Sequence, residues 1–536
     1  MKTMVRLLIV CLLCSTAAFA DDEAGHHHHD ADEQLGTVSF PTSCTPAVQK
    51  SFERGVALLH SFWYEEAEKQ FAGIAQKDPK CAMAHWGEAM SFYHQLWSRP
   101  SDATLKRGWQ EIQRARLAGP KTPREREYIS ALAEFYRDPA KRDHPARAQA
   151  YSKAMEKVYA DNPKDLEAGA FYALSLLAAE PPNDASFANR RKAIAILKPL
   201  FDQEPDHPGL AHYLIHSCDK PQLASLGLDA ARRYAQIAPS SPHAVHMPSH
   251  IFARLGLWQE DIQSNLASIA ATQRATSMHM GGEAHQVHAM DFLIYAYLQV
   301  GEEAEAKKLV DKISTMEPMG EGDMASYMDY ARAEFPALYY LEMRQWSEAA
   351  ALAPPAGLQP IDQAVTYWAR TIGAAHLHEA GAARNNAQQL DVLLETARKS
   401  KSGYLVEDFK PARDEVQAWA AFAENKNEEA LRLMREVADH QDTVGKAEVA
   451  IPAREMLADM LLELNRPADA LVEYEKALKT DPNRFNGLYG AARSAELVHQ
   501  TEKANSYYAQ LLKNCDNGAH SERPELVRAK TLLARN

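Results

Sequence analysis

The stretch ADMLLELNRPADALVEYEKALKTDP, residues 458–482, decides the fold. Ala458, Leu461, Ala470, Tyr474 and Ala477 fall at the three- and four-residue steps of helix faces, and Pro482 ends the pattern. Each of these six has a counterpart 403 residues earlier: Gly55, Leu58, Ala67, Phe71, Ile74 and Pro79. The pattern returns at Ala504, Tyr508 and Leu511, 34 residues after Ala470, Tyr474 and Ala477. Variants of it stand at Ala193, Leu197, Leu200 and Pro205, at Ala230, Tyr234, Ile237 and Pro242, and at Ala306, Val310, Ile313 and Pro318. Further helix pairs are legible around 327–352, 362–400 and 408–440. A two-helix unit of this size cannot bury its apolar face alone, so about a dozen such hairpins must stack on one another.

Small residues where helices cross, an aromatic knob and a closing proline resemble the tetratricopeptide repeat. The expected fold class is therefore all-α, a tetratricopeptide-type α-solenoid. Composition agrees by exclusion. Only 8% of residues are aromatic and 24 of 536 are glycine, which argues against a β-sandwich. An apolar content of 46% excludes collagen-like and disordered chains. With 59 Lys+Arg against 72 Asp+Glu, a net charge of −13 and no basic stripe, nucleic acid is not an expected partner. Pro354-Pro355-Ala356-Gly357 interrupts the pattern. It is taken as the divide between an N-terminal array over 45–355 and a C-terminal array over 356–536, although a long inter-repeat turn reads the same way.

The first residues carry an address. Lys2 and Arg6 precede the apolar run Leu7–Cys14, and Ala18-Phe19-Ala20 follows. That is the pattern of a secretory signal peptide over 1–20, which predicts a secreted or periplasmic protein. No later stretch approaches 18 uninterrupted apolar residues, so no transmembrane segment is expected after cleavage. Residues 21–44 are expected to be an acidic, disordered tail carrying His26, His27, His28 and His29, a run suited to weak metal recruitment. Export also makes a Cys44–Cys81 disulfide plausible across the ends of the first hairpin, with two buried free thiols as the alternative.

The histidines are the anomaly. Of the 18 outside the tail, nine fall within residues 207–288. His212 and His216 are four apart and share one helix face; His246 and His250 repeat that spacing 34 residues later. Aligned on the repeat signature, His212, His246 and His288 take the same position, the one that lines the concave groove in tetratricopeptide repeats. His216, His250, His285 and His243 lie close by in sequence. Each helix can offer only one or two ligands, so neighbouring helices that converge histidines make a metal site. Imidazole donors favour zinc or copper, and six or seven candidates leave open two ions, or one ion with polar neighbours. Pro248 either kinks one helix between His246 and His250 or begins a helix, with His243 and His246 in the preceding turn.

The segment Pro242-His243-Ala244-Val245-His246-Met247-Pro248-Ser249-His250 resembles the His-Ala-x-His-Met-Pro-Ser-His segment of the tetratricopeptide repeat protein 38-like family. Gly55–Phe62 with Asp78–Ala84 resembles the first repeat of its exported bacterial members. The resemblance implies fold and site position and leaves the chemistry open. Neither histidine pair has the Glu that follows the first His in zincin-type hydrolases. Glu180, Asp219, Glu283 and Asp291 are the nearby acids, and no spacing singles one out. Three readings follow: a metal-binding scaffold, a copper- or zinc-dependent enzyme using the same cluster, and a metal-free scaffold for a protein or peptide partner. Trp63, Tyr64, Trp86, Tyr93 and Trp97 either line a partner surface or pack the first repeats.

Overall fold

A computed structural model of the chain describes residues 33–96, 99–278, 280, 283–317, 323–400 and 403–534. The expected signal peptide, His26–His29, Trp97, His279 and Pro318 lie outside these residues. The described residues are α-helical with short 3-10 turns and contain no strand. Twelve helical hairpins follow one another, from Gln49–His60 with Tyr64–Lys77 to Phe485–Leu497 with Thr501–Asn514, and Pro524–Leu533 closes the stack. The protein is an all-α, tetratricopeptide-type solenoid.

The repeat signature has a direct packing cause. Phe71 fills the crossing between its own hairpin and the next, so close that a Cβ at Gly87 would lie 2.3 Å from its ring. Tyr474 does the same against Gly490, at 2.2 Å. A methyl group at either glycine would overpack a crossing that has no slack.

Most of the hairpin turns share one device. A residue one or two past the first helix takes a left-handed conformation, and the next amide reaches back five residues to cap the helix. Gly256, Gly301, Asn425 and Asn465 occupy this position in four turns, at φ 63°, 73°, 60° and 56°. Leu257 N then donates to Phe252 O, and Arg466 N to Leu461 O, both at 2.9 Å. In the first hairpin the residue is Phe62, at φ 54°, with Trp63 N donating to Leu58 O at 3.0 Å. A phenylalanine in that region is strained, which marks the position as one to explain.

Two features differ from expectation. Residues 34–44, expected as the end of the tail, pack onto the repeats instead. Thr37 N donates to Asp206 O at 2.9 Å, and Phe40 is fully buried among Phe52, Trp86 and Tyr128. The acidic composition that predicts disorder stops at Glu33, and Leu35 and Phe40 supply apolar anchors. Cys44 and Cys81 are joined by a disulfide with Cα atoms 4.7 Å apart. Closing a loop of 37 residues contributes about 3–4 kcal/mol in the chain-entropy account.

The second feature is closure. Gln34–Asn536 forms one compact unit, because the solenoid curls until late hairpins meet middle ones. Trp258 Nε1 donates to Asn483 O at 2.9 Å, Phe485 N to Gln299 Oε1 at 2.9 Å, and Tyr295 Oη to Ala450 O at 3.2 Å. Gly256 serves both devices, since a Cβ there would lie 2.2 Å from Pro482 O. This closure decides what covers the histidines.

Candidate metal centre

Three hairpins supply the histidines. Pro208–Cys218, capped by His207 with proline in its first turn, carries His212 and His216. The next hairpin begins with a broken helix: Pro242–His246, capped by Ser241, and Pro248–Leu255. Pro248 has no N–H to continue the ladder, so a new helix begins there and His243 and His246 sit in a single preceding turn. The carbonyls of Pro242 and Val245 are taken by Ser268 Oγ at 2.8 Å and Ser264 Oγ at 2.6 Å. The third helix, Glu283–Val300, carries His285 and His288.

These elements bring the histidines together as two triads. His212, His216 and His243 place one ring nitrogen each within 4.8 Å of one another, and so do His246, His250 and His288. His212 Nε2 faces His243 Nε2 at 3.1 Å, and His246 Nε2 faces His250 Nε2 at 3.1 Å. The triads adjoin, with ring centroids 6.0 Å apart for His216–His250 and 6.1 Å for His243–His246. His285 lies beside the first triad, its ring 5.1 Å from that of His243. His243 and His246, three residues apart in one short helix, thus fall in different triads, and His250 joins His246 from the helix that begins at Pro248.

The outer nitrogens fix the direction of the inner ones. His212 Nδ1 lies 2.6 Å from the carbonyl oxygen of His60, which can only accept, so Nδ1 carries the hydrogen. His246 Nδ1 donates to Asn265 Oδ1 at 2.7 Å; the amide of Asn265 is itself oriented by Asp261 at 2.7 Å. His250 Nδ1 donates to Asp219 Oδ2 at 2.9 Å, and Arg254 holds the other Asp219 oxygen at 3.0 Å. His288 Nδ1 donates to Tyr327 Oη at 2.9 Å, and Tyr327 passes its own hydrogen to Asp291 at 3.4 Å. Nδ1 of all three rings of the second triad is thus taken, which leaves Nε2 as the atom each can turn inward. Outer partners of this kind orient and strengthen metal-bound histidines.

Burial keeps most of these rings neutral and ready to coordinate. It pushes His212 and His288 down to about 3 and His285 to about 4, and it lowers His216, His243 and His246 as well. Neighbouring imidazoles add to the lowering in all but His285. His250 is the exception. Burial lowers it too, but Asp219 and Glu448 outweigh that and raise it to about 9. His216 Nε2 is buried and has no hydrogen-bond partner among the described residues.

The histidines do not line an open groove, as the repeat position predicted. His212, His243 and His246 are at most 1% exposed. One phenyl ring covers each triad. Phe62, the strained turn residue, lies 4.3 Å from His212 and 5.5 Å from both His216 and His243. Phe292 lies 4.9, 4.7 and 5.3 Å from His246, His250 and His288. The curl of the solenoid adds Glu448, whose carboxylate lies 3.5 Å from His250 Nδ1 and 3.2 Å from Arg254.

Some functional residues escaped the sequence reading. His60, Glu167 and His207 form a buried group beneath the first triad, with Glu167 accepting from His60 Nε2 at 2.8 Å and His207 Nε2 at 2.9 Å. His207 Nδ1 caps Leu210 N, so both rings reach Glu167 with N–H groups and the group is complete in itself. Burial pushes the Glu167 carboxyl up, but the two histidines hold it below the usual range. The available signal was a lone Glu in the apolar run Leu166–Leu177. Of the acids noted in sequence, Asp219 and Asp291 support the second triad, whereas Glu180 pairs with Arg190. Trp63, Tyr64, Trp86 and Tyr93 are buried packing residues.

Asp219→Asn keeps the shape but loses the charge behind His250. It is expected to weaken metal affinity by about 10–100-fold while leaving the number of ions unchanged, read by competition with a chelating dye.

Fold and site together define a tetratricopeptide-type helical repeat protein with two histidine triads. No protein-family model matches the sequence, and no curated protein matches it. Similar solved structures include human IFIT1, determined as a dimer with m7Gppp-AAAA: 11% identity, TM-score 0.36, covering 85% of this chain and 94% of that one. The TPR domain of P58(IPK) is 14% identical with a TM-score of 0.20, covering 69% and 99%. The APC/C hetero-tetramer Cut9-Hcn1 is 13% identical with a TM-score of 0.31, covering 91% and 89%. Among the described residues no helix is long and apolar enough to cross a membrane.

Proposed function

We propose that this is an exported tetratricopeptide-type scaffold that holds two metal ions, zinc or copper. One ion is held by His212, His216 and His243, the other by His246, His250 and His288. The observation that carries this is the second triad, where Asn265, Asp219 and Tyr327 each hold an Nδ1 and leave the three Nε2 atoms to meet a cation, with loss of the His250 proton on binding. Export is supported by the signal-peptide pattern and by a disulfide suited to an oxidising compartment. The histidine segment supports kinship with the tetratricopeptide repeat protein 38-like family.

A protein or peptide partner has a separate surface in the C-terminal hairpins. There Trp346 stacks on His376 at 3.7 Å, beside Trp419 and Arg344. In this reading the ions brace the middle of the solenoid. Chelator-stripped protein titrated with zinc is expected to take up two equivalents and to unfold at higher urea than the stripped form. Uptake of none, or uptake that disappears when the His26–His29 tail is deleted, would contradict the proposal.

A further inference from the structure

We infer that Arg147 and the polar groups around Phe135 form a binding site for a small carboxylic acid, separate from the histidine triads. Five arginines are buried among the described residues. Four of them face a carboxylate: Arg254 with Asp219 at 3.0 Å, Arg454 with Glu473 at 3.1 Å, Arg484 with Glu342 at 2.8 Å, and Arg523 with Glu525 at 3.4 Å. Arg147, 5% exposed, is the fifth, and it pairs with no carboxylate among the described residues. Its Nη1 donates to the carbonyl oxygen of Arg142 at 2.9 Å, and its Nε is buried without a partner. The side chain forms no other hydrogen bond among the described residues, so the edge made by Nε and Nη2 is open. Arg484 uses that same edge to hold Glu455, at 2.9 and 2.8 Å. A buried guanidinium without a counter-charge is costly, so the missing partner is an anion.

The site is built about Phe135, near the end of the helix Pro123–Tyr136. Tyr93 stacks on its ring at 3.6 Å, the Arg147 guanidinium lies 5.4 Å from it, and the His144 ring 5.6 Å. The helix His144–Asp161 carries His144 and Arg147 three residues apart, on one face. Tyr93 Oη and His144 Nδ1 are both buried without a partner. Burial, together with Arg99 and Arg147, pushes His144 down to about 4, so its ring is neutral. A phenol hydroxyl and a neutral imidazole can each give a hydrogen bond to an anion.

The fork of Nε and Nη2 matches the two oxygens of a carboxylate. The surrounding charges favour one negative charge over two. Arg142 is engaged by Glu134, and Arg99 stands over the ring of Tyr404. Asp143 caps its own helix at Ala146 N. Asp102 bears on Arg147, and Asp408 on Arg99, without a bond between them among the described residues. A carboxylate meets the one open guanidinium, whereas a phosphate dianion would face these acids with a single bonded cation. Size is limited by the aromatic wall, since Tyr93, Phe135 and Tyr151 are buried. The half-buried His144 and the exposed Arg99 mark the way in.

The test is isothermal titration of the full chain with propionate, with its neutral isostere propionamide and with inorganic phosphate. One propionate is expected to bind per chain, with propionamide and phosphate at least about tenfold weaker. Arg147→Lys keeps the charge but loses the fork, and is expected to weaken propionate about tenfold. Tyr93→Phe keeps the ring on Phe135 and removes one donor, with an expected loss of about three- to tenfold. Both variants are checked by circular dichroism; if Arg147→Lys loses helicity, Tyr93→Phe and propionamide decide. Chelator-stripped protein should bind propionate as the loaded protein does. Absence of propionate binding, equal affinity for propionamide, or parental affinity in a folded Arg147→Lys or Tyr93→Phe would overturn the site. So would loss of propionate binding on metal removal, which would place the acid at the triads. Tighter binding of phosphate than of propionate would overturn the carboxylate.

Discussion

Arg484→Leu is expected to destabilise the protein by about 3–5 kcal/mol, the largest effect of any single substitution considered. Arg484 is 1% exposed and binds Glu455 through Nε at 2.9 Å and Nη2 at 2.8 Å. It also binds Glu342 at 2.8 Å and Tyr295 through Nη1. Both carboxylates are 1% exposed. Removing the guanidinium leaves two buried acids facing each other with no cation, which costs more than the pairs contributed. The damage reaches the histidine triads, because Tyr295 and the neighbouring Phe485–Gln299 bond belong to the closure that brings Glu448 over His250. Urea unfolding and limited proteolysis should both show the loss. Adding Glu342→Gln and Glu455→Gln to Arg484→Leu should recover part of it. An unchanged unfolding midpoint in the single variant would show that the closure carries no weight.

The second large effect concerns stoichiometry. His243→Ala removes a ligand from the first triad only, and His288→Ala from the second only, so each variant is expected to retain one ion per chain. The double variant should retain none. Deleting residues 21–33, with its four histidines, should leave two. The split follows from the grouping of the ring nitrogens, which places His243 and His246 in different triads although they share one helical turn. Loss of both ions from either single variant would mean that the triads act as one site. Loss of none would mean that neither residue is a ligand.

The hairpins were legible because their signature is local. Phe71 with Gly55 and Tyr474 with Gly490 record contacts made within a repeat or with its neighbour, at separations that recur along the chain. The four-residue histidine pairs were legible for the same reason. The grouping of the histidines was not, since His243 and His246 share one helical turn yet meet rings from different helices. Nor was the shielding of the site. Glu448 reaches His250 from nearly 200 residues away, through a curl of the whole solenoid that no periodicity encodes. The same holds for His60, whose carbonyl orients His212 from 152 residues away. Phe62 was hidden by its ordinary place in a turn. Only its positive φ and its ring above three imidazoles mark it as part of the centre.

The central claim is that the triads hold metal in the protein as it is made. It is tested by elemental analysis of protein purified without affinity resin or added metal, with the 21–33 segment removed. Two zinc or copper ions per chain are predicted. Metal-free, folded protein from metal-replete cells would contradict the claim.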